Sequence, residues 1–395
     1  MSMLGAIYTG MSGLEAYSQG LRVISNNVAN LNTSGFKATD VDFSDMYTFS
    51  GTNFGLYDHR NSGGNGVRMD DLQIDFRQGD LRQSENGLDL GIDGAGFFVL
   101  LDGDKTFYTR TGNFVVAEDG HIKLEGTEFR LAVLDDAGRA VELNVDSKRT
   151  SPPVATTEIK FADNLSSTAI EHVISDIQVY DAAGEAQVWQ IEFTRDDEAA
   201  GNVWNVTVTN ADDREVGTGV LRFEQGEIDP DTAQIVIEDT EAEGLSVTLD
   251  FSENITSFSS GTVSTMRSST VDGYGVGAVT NITTNADGEI ELSYSNEETE
   301  TLGPVALADF KDLQNLESIG DGLFVFNEQG ERRLFSSDDP QVGRVLSGRV
   351  EASNVDLSAQ FGELIIIQRG FQASSQLVSV SNDMIQQLFG IRGQG

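Results

Sequence analysis

Apolar positions near both ends of this chain recur at alternating steps of three and four residues, the spacing of a helix with one face held in contact. At the start the repeat runs through Leu4, Ile7, Met11, Leu14, Leu21 and Val28, with Ser18 and Ser25 at the two missing positions. It predicts about 40 Å of helix. At the far end it runs through Leu364, Ile367, Phe371, Val378, Ile385 and Leu388, with Ser374 and Ser381 in the gaps. Asp356 stands where an N-cap belongs.

Between the ends the period falls to two. Residues 88–135 alternate short apolar runs, such as 97–100 and 114–116, with Asp-Gly turns at Asp93, Asp102 and Asp119. Asp-Gly pairs return at Asp272, Asp287 and Asp321, beside Ile290, Leu292, Tyr294 and the run 323–326. Residues 151–270 contain no such pair and carry their own alternating runs: Trp189, Ile191, Phe193; Trp204, Val206, Val208; Leu245, Val247, Leu249, Phe251. That stretch reads as a separate β domain, bordered by the Pro-containing segment 147–153 and the Ser/Thr-rich segment 262–270.

The predicted fold is multidomain and mainly β with α-helical termini. The N- and C-terminal helices, residues 1–37 with 356–395, form a coiled-coil-like terminal domain. Residues 38–80 are an extended connector packing through Phe43, Met46 and Tyr47, with a turn at Gly63, Gly64 and Gly66. An inner discontinuous β domain takes residues 81–149 with 271–355. A β-barrel or sandwich-like domain, residues 150–270, is inserted into it. Nesting of this kind keeps the termini adjacent and places insertions at exposed loops.

Charge changes the reading of the helices. The chain of 395 residues carries 64 acidic and 25 basic residues, a net charge of −39. Yet residues 1–35 hold only Glu15 and Arg22, and residues 357–395 only Glu363, Asp383, Arg369 and Arg392, so each end sums to zero. A helix with one face in water normally carries charges there, so neutral faces of Gln, Ser, Asn and Gly imply contact with further helices on several sides. Such thin apolar stripes gain little alone, so the ends are expected to be loosely ordered in a monomer and to fold on association. The acidity itself keeps copies soluble and apart. It argues against nucleic acid and anionic membrane surfaces, leaving partners recognised by shape.

With no cysteine, disulfides, thiolate metal sites and cysteine nucleophiles are excluded. No apolar run approaches the roughly 20 residues of a membrane span, so membrane insertion is not expected. The start has no basic residue among its first eleven and lacks the layout of a cleaved secretory signal. His59, His121 and His172 are scattered without metal spacing. Zincin, nucleophile-elbow and phosphate-loop motifs do not occur, and Gly273, Gly275 and Gly277 do not make a dinucleotide fingerprint. The acidic clusters Asp196, Asp197, Glu198 and Asp212, Asp213 lack calcium-loop spacing and read as solvated loops. No catalytic residue, metal or cofactor is therefore predicted, and the chain reads as a self-assembling structural subunit. A secreted acidic hydrolase leaves the neutral ends unexplained. A surface adhesin would require ligand binding by the middle domain alone.

Residues 26–37, Asn-Asn-Val-Ala-Asn-Leu-Asn-Thr-Ser-Gly-Phe-Lys, closely resemble the N-terminal signature of the bacterial flagellar rod and hook proteins. Asn30 and Gly35 suit the turn that ends the helix, and Phe36 anchors the departing chain. Glu351-Ala352-Ser353-Asn354-Val355-Asp356-Leu357 and Gln368-Arg369-Gly370-Phe371-Gln372 resemble the matching C-terminal block. So do Gly94-Ala95-Gly96-Phe97-Phe98 and Tyr108-Thr109-Arg110-Thr111-Gly112-Asn113-Phe114 between them. Residues 294–299 with Leu302-Gly303 and 307–310 point to the hook branch of that family, and the large middle domain favours it over the distal rod. The resemblance implies a helical homopolymer, a curved tube that acts as a universal joint between rod and filament. It further implies export through the flagellar type III apparatus, an extracellular location after export, and distal-rod, hook-cap and hook–filament junction proteins as partners. The terminal helices would line the tube.

Overall fold

The computed structural model describes residues 3–46, 66–199, 201–239, 245–327 and 330–392. Tyr47, Gly63, Gly64 and His59 lie outside them. The protein is mostly β with one α-helix at each end, α1 (Met3–Ala29) and α2 (Leu357–Arg392). It forms two compact units, the first from Met1–Asp146, Ile282–Glu291 and Thr301–Gly395, the second from Ser147–Asn281 and Leu292–Glu300.

In the first unit the apolar run Phe97–Asp102 is the middle of a ten-stranded sheet, which is why it tolerates no polar alternation. Its neighbours come from distant parts of the chain. Phe98 pairs with Thr109 on one side and Leu307 on the other, and Leu323 pairs with Thr109 beyond. Two short ladders, Ile92 with Val345 and Arg82 with Val350, continue the same joining of early and late residues. Phe97, Tyr108, Phe310 and Phe324 meet at the centre, with ring centroids 4.8–6.0 Å apart. Each is essentially buried and contributes about 1.5–3 kcal/mol through lost apolar surface.

The stretch 38–80 holds more structure than an extended connector. Thr39 pairs with Ile74, and Phe43 with Met69, so the described parts fold back into two short antiparallel ladders against α1. The ring of Phe43 meets Tyr17 at 5.2 Å, and Phe76 enters the aromatic core beside Phe97 at 5.6 Å.

The second unit has two five-stranded sheets around one core. Glu171–Tyr180, Ala186–Arg195, Asn202–Asn210, Glu215–Glu224 and Glu227–Ile228 run as an antiparallel meander. Glu158–Asn164 lies parallel to Leu245–Asp250 in the other sheet, flanked by Gln234–Asp239, Ile255–Thr256 and Arg267–Val271. The alternation along each strand turns Trp189, Ile191, Phe193, Trp204, Phe161 and Phe251 inward, where Phe161 stacks on Phe251 at 4.5 Å.

Candidate assembly site

α1 and α2 pack along a seam of small residues. α1 presents Gly10, Gly13, Ala16, Gly20, Ile24 and Asn27, all buried, again at three-four spacing. A Cβ at Gly10 would stand 2.7 Å from Val378 Cγ2, and one at Gly20 would stand 3.0 Å from Ile367 Cδ1. In return, a Cβ at Gly370 would meet the Tyr17 ring at 2.5 Å. Each glycine is thus the notch for a side chain of the opposite helix. Glycine inside a helix costs about 1 kcal/mol relative to alanine, so this close approach is what the seam gains in exchange. Buried Asn27 closes one end, donating to Gln360 Oε1 at 3.0 Å and to the Thr39 carbonyl at 2.9 Å, while its own Oδ1 accepts from the Thr39 amide at 3.0 Å.

The residues expected at the two seams separate accordingly. Ile367, Val378 and Ile385 lie on the α2 face toward α1 together with Ser374 and Ser381, while Leu364 is half-buried and Phe371 sits at the exposed edge. On α1 the expected row lies off the contact: Ile7, Leu14, Leu21 and Val28 are half-buried and Met11 is exposed. The reason is steric, since a glycine face allows a nearer helix than a Leu/Met face does. Leu4 and Leu388 fall on the helices, with their side chains outside the described residues.

The helices are tied to the β part of the first unit by a buried ionic joint. After α1, Asn30 Nδ2 donates back to the Asn26 carbonyl at 2.9 Å, and Gly35 turns the chain at φ +68°. A Cβ there would stand 2.6 Å from the Thr111 amide nitrogen, so the position requires glycine. The Gly35 amide donates to the Glu351 carbonyl at 2.8 Å, and half-buried Phe36 accepts from the Asn354 amide at 3.4 Å. Lys37 Nζ then reaches Glu351 Oε1 at 2.5 Å and the Arg77 carbonyl at 2.8 Å. Arg110 takes the other carboxylate oxygen at 3.2 Å, donates to the Gly94 carbonyl at 2.9 Å, and lies over the Phe97 ring at 4.9 Å.

All three side chains are at least 98% buried. Two cations share one carboxylate, so burial pushes the Lys37 pKa below its ordinary value, with Glu351 pulling it back up, and lowers Arg110 in the same way. Asn354 completes the joint, accepting from the Ala38 amide at 2.8 Å and donating to the Asp75 and Arg77 carbonyls at 2.7 and 3.0 Å. Asp356 then caps α2, accepting from the Ser358 amide at 2.8 Å. Lys37, Arg110 and Glu351 stand in three of the motifs quoted above, but sequence reasoning gave them no role. A lone lysine ending a charge-poor segment was the available signal.

Elsewhere the polar groups serve local structure. His121 lies 3.3 Å from Asp119 and 3.7 Å from Glu142, and His172 Nε2 meets the Met266 carbonyl at 2.7 Å. Asp196 accepts from the amides of Glu198 and Ala199, shaping a turn. Among the described residues no three His, Asp or Glu side chains converge as metal ligands, and no helix is long and apolar enough to cross a membrane.

The structure thus joins the two chain ends in one helical pair and locks that pair to a β unit built from early and late residues. Residues 7–37 match the family described as flagella basal body rod protein, and residues 346–391 match the C-terminal family of flagellar basal body rod FlgEFG proteins. Residues 142–301 match the flagellar basal body protein FlaE D2 domain. The chain is 28% identical to the flagellar hook protein FlgE of Borreliella burgdorferi, over 99% of this chain and 100% of that one. It is 28% identical to FlgE of Treponema pallidum over 99% and 100%, and 25% identical to FlgE of Salmonella typhimurium over 97% and 98%. Against the solved Helicobacter pylori flagellar hook protein FlgE2 the TM-score is 0.49 at 14% identity, over 70% of this chain and 100% of that one. Over nearly its whole length the chain is a homologue of flagellar hook proteins.

Proposed function

We propose that this protein is the structural subunit of a flagellar hook, polymerising with itself into a curved tube that transmits torque from rod to filament as a universal joint. The observation that carries this reading is the end-to-end match to hook proteins, which includes the middle of the chain as well as the two ends common to rod and hook subunits. The neutral α1 and α2 supply the polymer contacts and form the inner wall. The acidic remainder keeps unassembled copies apart. Subunits leave the cell through the flagellar type III apparatus and join the distal rod below, the hook cap during growth, and the hook–filament junction proteins above. Chemistry has no part in this role.

The two terminal families are named for rod proteins, so a distal rod subunit is the second reading. Deleting the gene and imaging isolated basal bodies by electron microscopy separates them. The expected result is intact rods that end without a hook. Basal bodies lacking the distal rod itself would overturn the hook assignment.

A further inference from the structure

The two units close their cores in different ways. Every buried residue of the core between the two sheets of the second unit lies in the uninterrupted stretch 159–266, so that core is complete without help from elsewhere in the chain. The core of the first unit is assembled from two halves. Phe97, Val99 and Tyr108 precede the second unit, and Ala308, Phe310 and Phe324 follow it. Thr109 Oγ1 donates to the Gly322 carbonyl at 3.0 Å across 213 positions, and Arg332 donates to the Tyr108 hydroxyl at 2.6 Å across 224. Within the second unit a neck holds its own first and last stretches of chain together. Thr150 and Ser151 pair antiparallel with Ala278 and Gly277. Lys148 Nζ reaches Glu300 Oε1 at 2.5 Å, and the Tyr294 hydroxyl lies 2.8 Å from the Lys148 carbonyl and 3.0 Å from Glu300 Oε2.

We infer that the second unit folds first and serves as the clamp that lets the first unit fold. Contacts between distant residues form late, because the entropy of closing a long loop must be met before the contact repays it. Left to itself, the pairing of Thr109 with Gly322 closes 213 positions. Once the neck holds Lys148 beside Glu300, only the stretches 109–148 and 300–322 remain to be closed, about 60 residues. Closure becomes less probable as about the three-halves power of loop length, so the clamp favours this pairing about sixfold. Domains fold as units, and a unit whose core is one continuous stretch is the one available early. This role belongs to the single chain and is independent of what the chain assembles into.

Pulsed hydrogen exchange of the full chain during refolding from urea, read by mass spectrometry, tests the order. The halves of the first unit are followed through peptides covering 90–93 and 344–347, strands that pair only with each other. These two are expected to gain protection together, and after peptides from 186–210. Their protection ahead of 186–210 would overturn the proposal. Phe161→Ala with Phe251→Ala removes the stacked rings of the second core, and should slow protection of the first unit about sixfold. The chain has no cysteine, so Thr150→Cys with Ala278→Cys, exposed partners across the neck, closes one disulfide on oxidation. In the double-alanine background that disulfide should return the first unit to within about twofold of its original rate while the second unit stays slow, and the reduced pair should not. The same rescue decides the case in which the alanines stop the first unit from folding at all. A first unit that keeps its rate in the double-alanine chain, or that the disulfide fails to rescue, would show that the second unit is not its clamp.

Discussion

Glu351→Ala is expected to destabilise the first unit by about 3–5 kcal/mol, because it strands two buried cations that now share one carboxylate. Lys37 and Arg110 are almost wholly buried, and this variant takes from both the carboxylate they are paired with, leaving the Asp75 charge to act on Lys37. The two units can be followed separately. Both α-helices belong to the first, so ellipticity at 222 nm reports on it, whereas Trp189 and Trp204, the two tryptophans of the chain, lie in the core of the second. In a urea titration the helical transition should move to lower denaturant while the tryptophan transition stays in place. Lys37→Met should cost much less, since Arg110 keeps its carboxylate. The pH dependence has a definite sign. The folded Lys37 pKa lies below its unfolded value of 10.5, so between the two the unfolded chain binds the extra proton and stability rises with pH. Lys37→Met should remove that rise. Equal losses from Glu351→Ala and Lys37→Met would mean that the joint is not organised around the carboxylate.

Gly13→Leu should abolish tube formation with both β cores intact. A Cβ at this position already stands 3.2 Å from Ser374 Cβ, and the Ser374 hydroxyl is nearer still. The remaining leucine atoms have no space unless α2 moves off the seam. Overpacking of this kind costs about 1–3 kcal/mol, and the cost falls wholly on the α1/α2 contact. Gly13→Ala is the informative comparison, because its gain in helix propensity of about 1 kcal/mol offsets a smaller clash. Pelleting assays should show no polymer for leucine and reduced polymer for alanine, with an unchanged tryptophan transition in both. Wild-type amounts of polymer from Gly13→Leu would show that the small-residue seam is not required for assembly.

How far the sequence reaches differs along the molecule. The inward residues of the second unit follow directly from alternation, and Trp189, Trp204 and Phe251 lie in its core. The turns at Asp102, Asp119, Asp287 and Asp321 and the zero net charge of the ends likewise needed only local reading. The seam on α1 did not follow, because apolar periodicity weighs Leu and Met and gives no weight to Gly10, Gly13 and Gly20, whose contribution is the absence of a side chain. On α2, Ile367 and Val378 are both periodic and packed into the notches, whereas Phe371 is periodic and exposed. The ionic joint was illegible for another reason. Lys37 and Glu351 are 314 positions apart, and only the pairing of early and late strands brings them together.

Hydrogen exchange of the full chain, compared between monomer and pelleted tubes by mass spectrometry, tests most directly whether the chain ends are the polymerising element. The account predicts that peptides from residues 3–29 and 357–392 gain the most protection on assembly, while the core strands of the second unit change little. Protection gained mainly in the second unit, with the terminal helices unchanged, would contradict it.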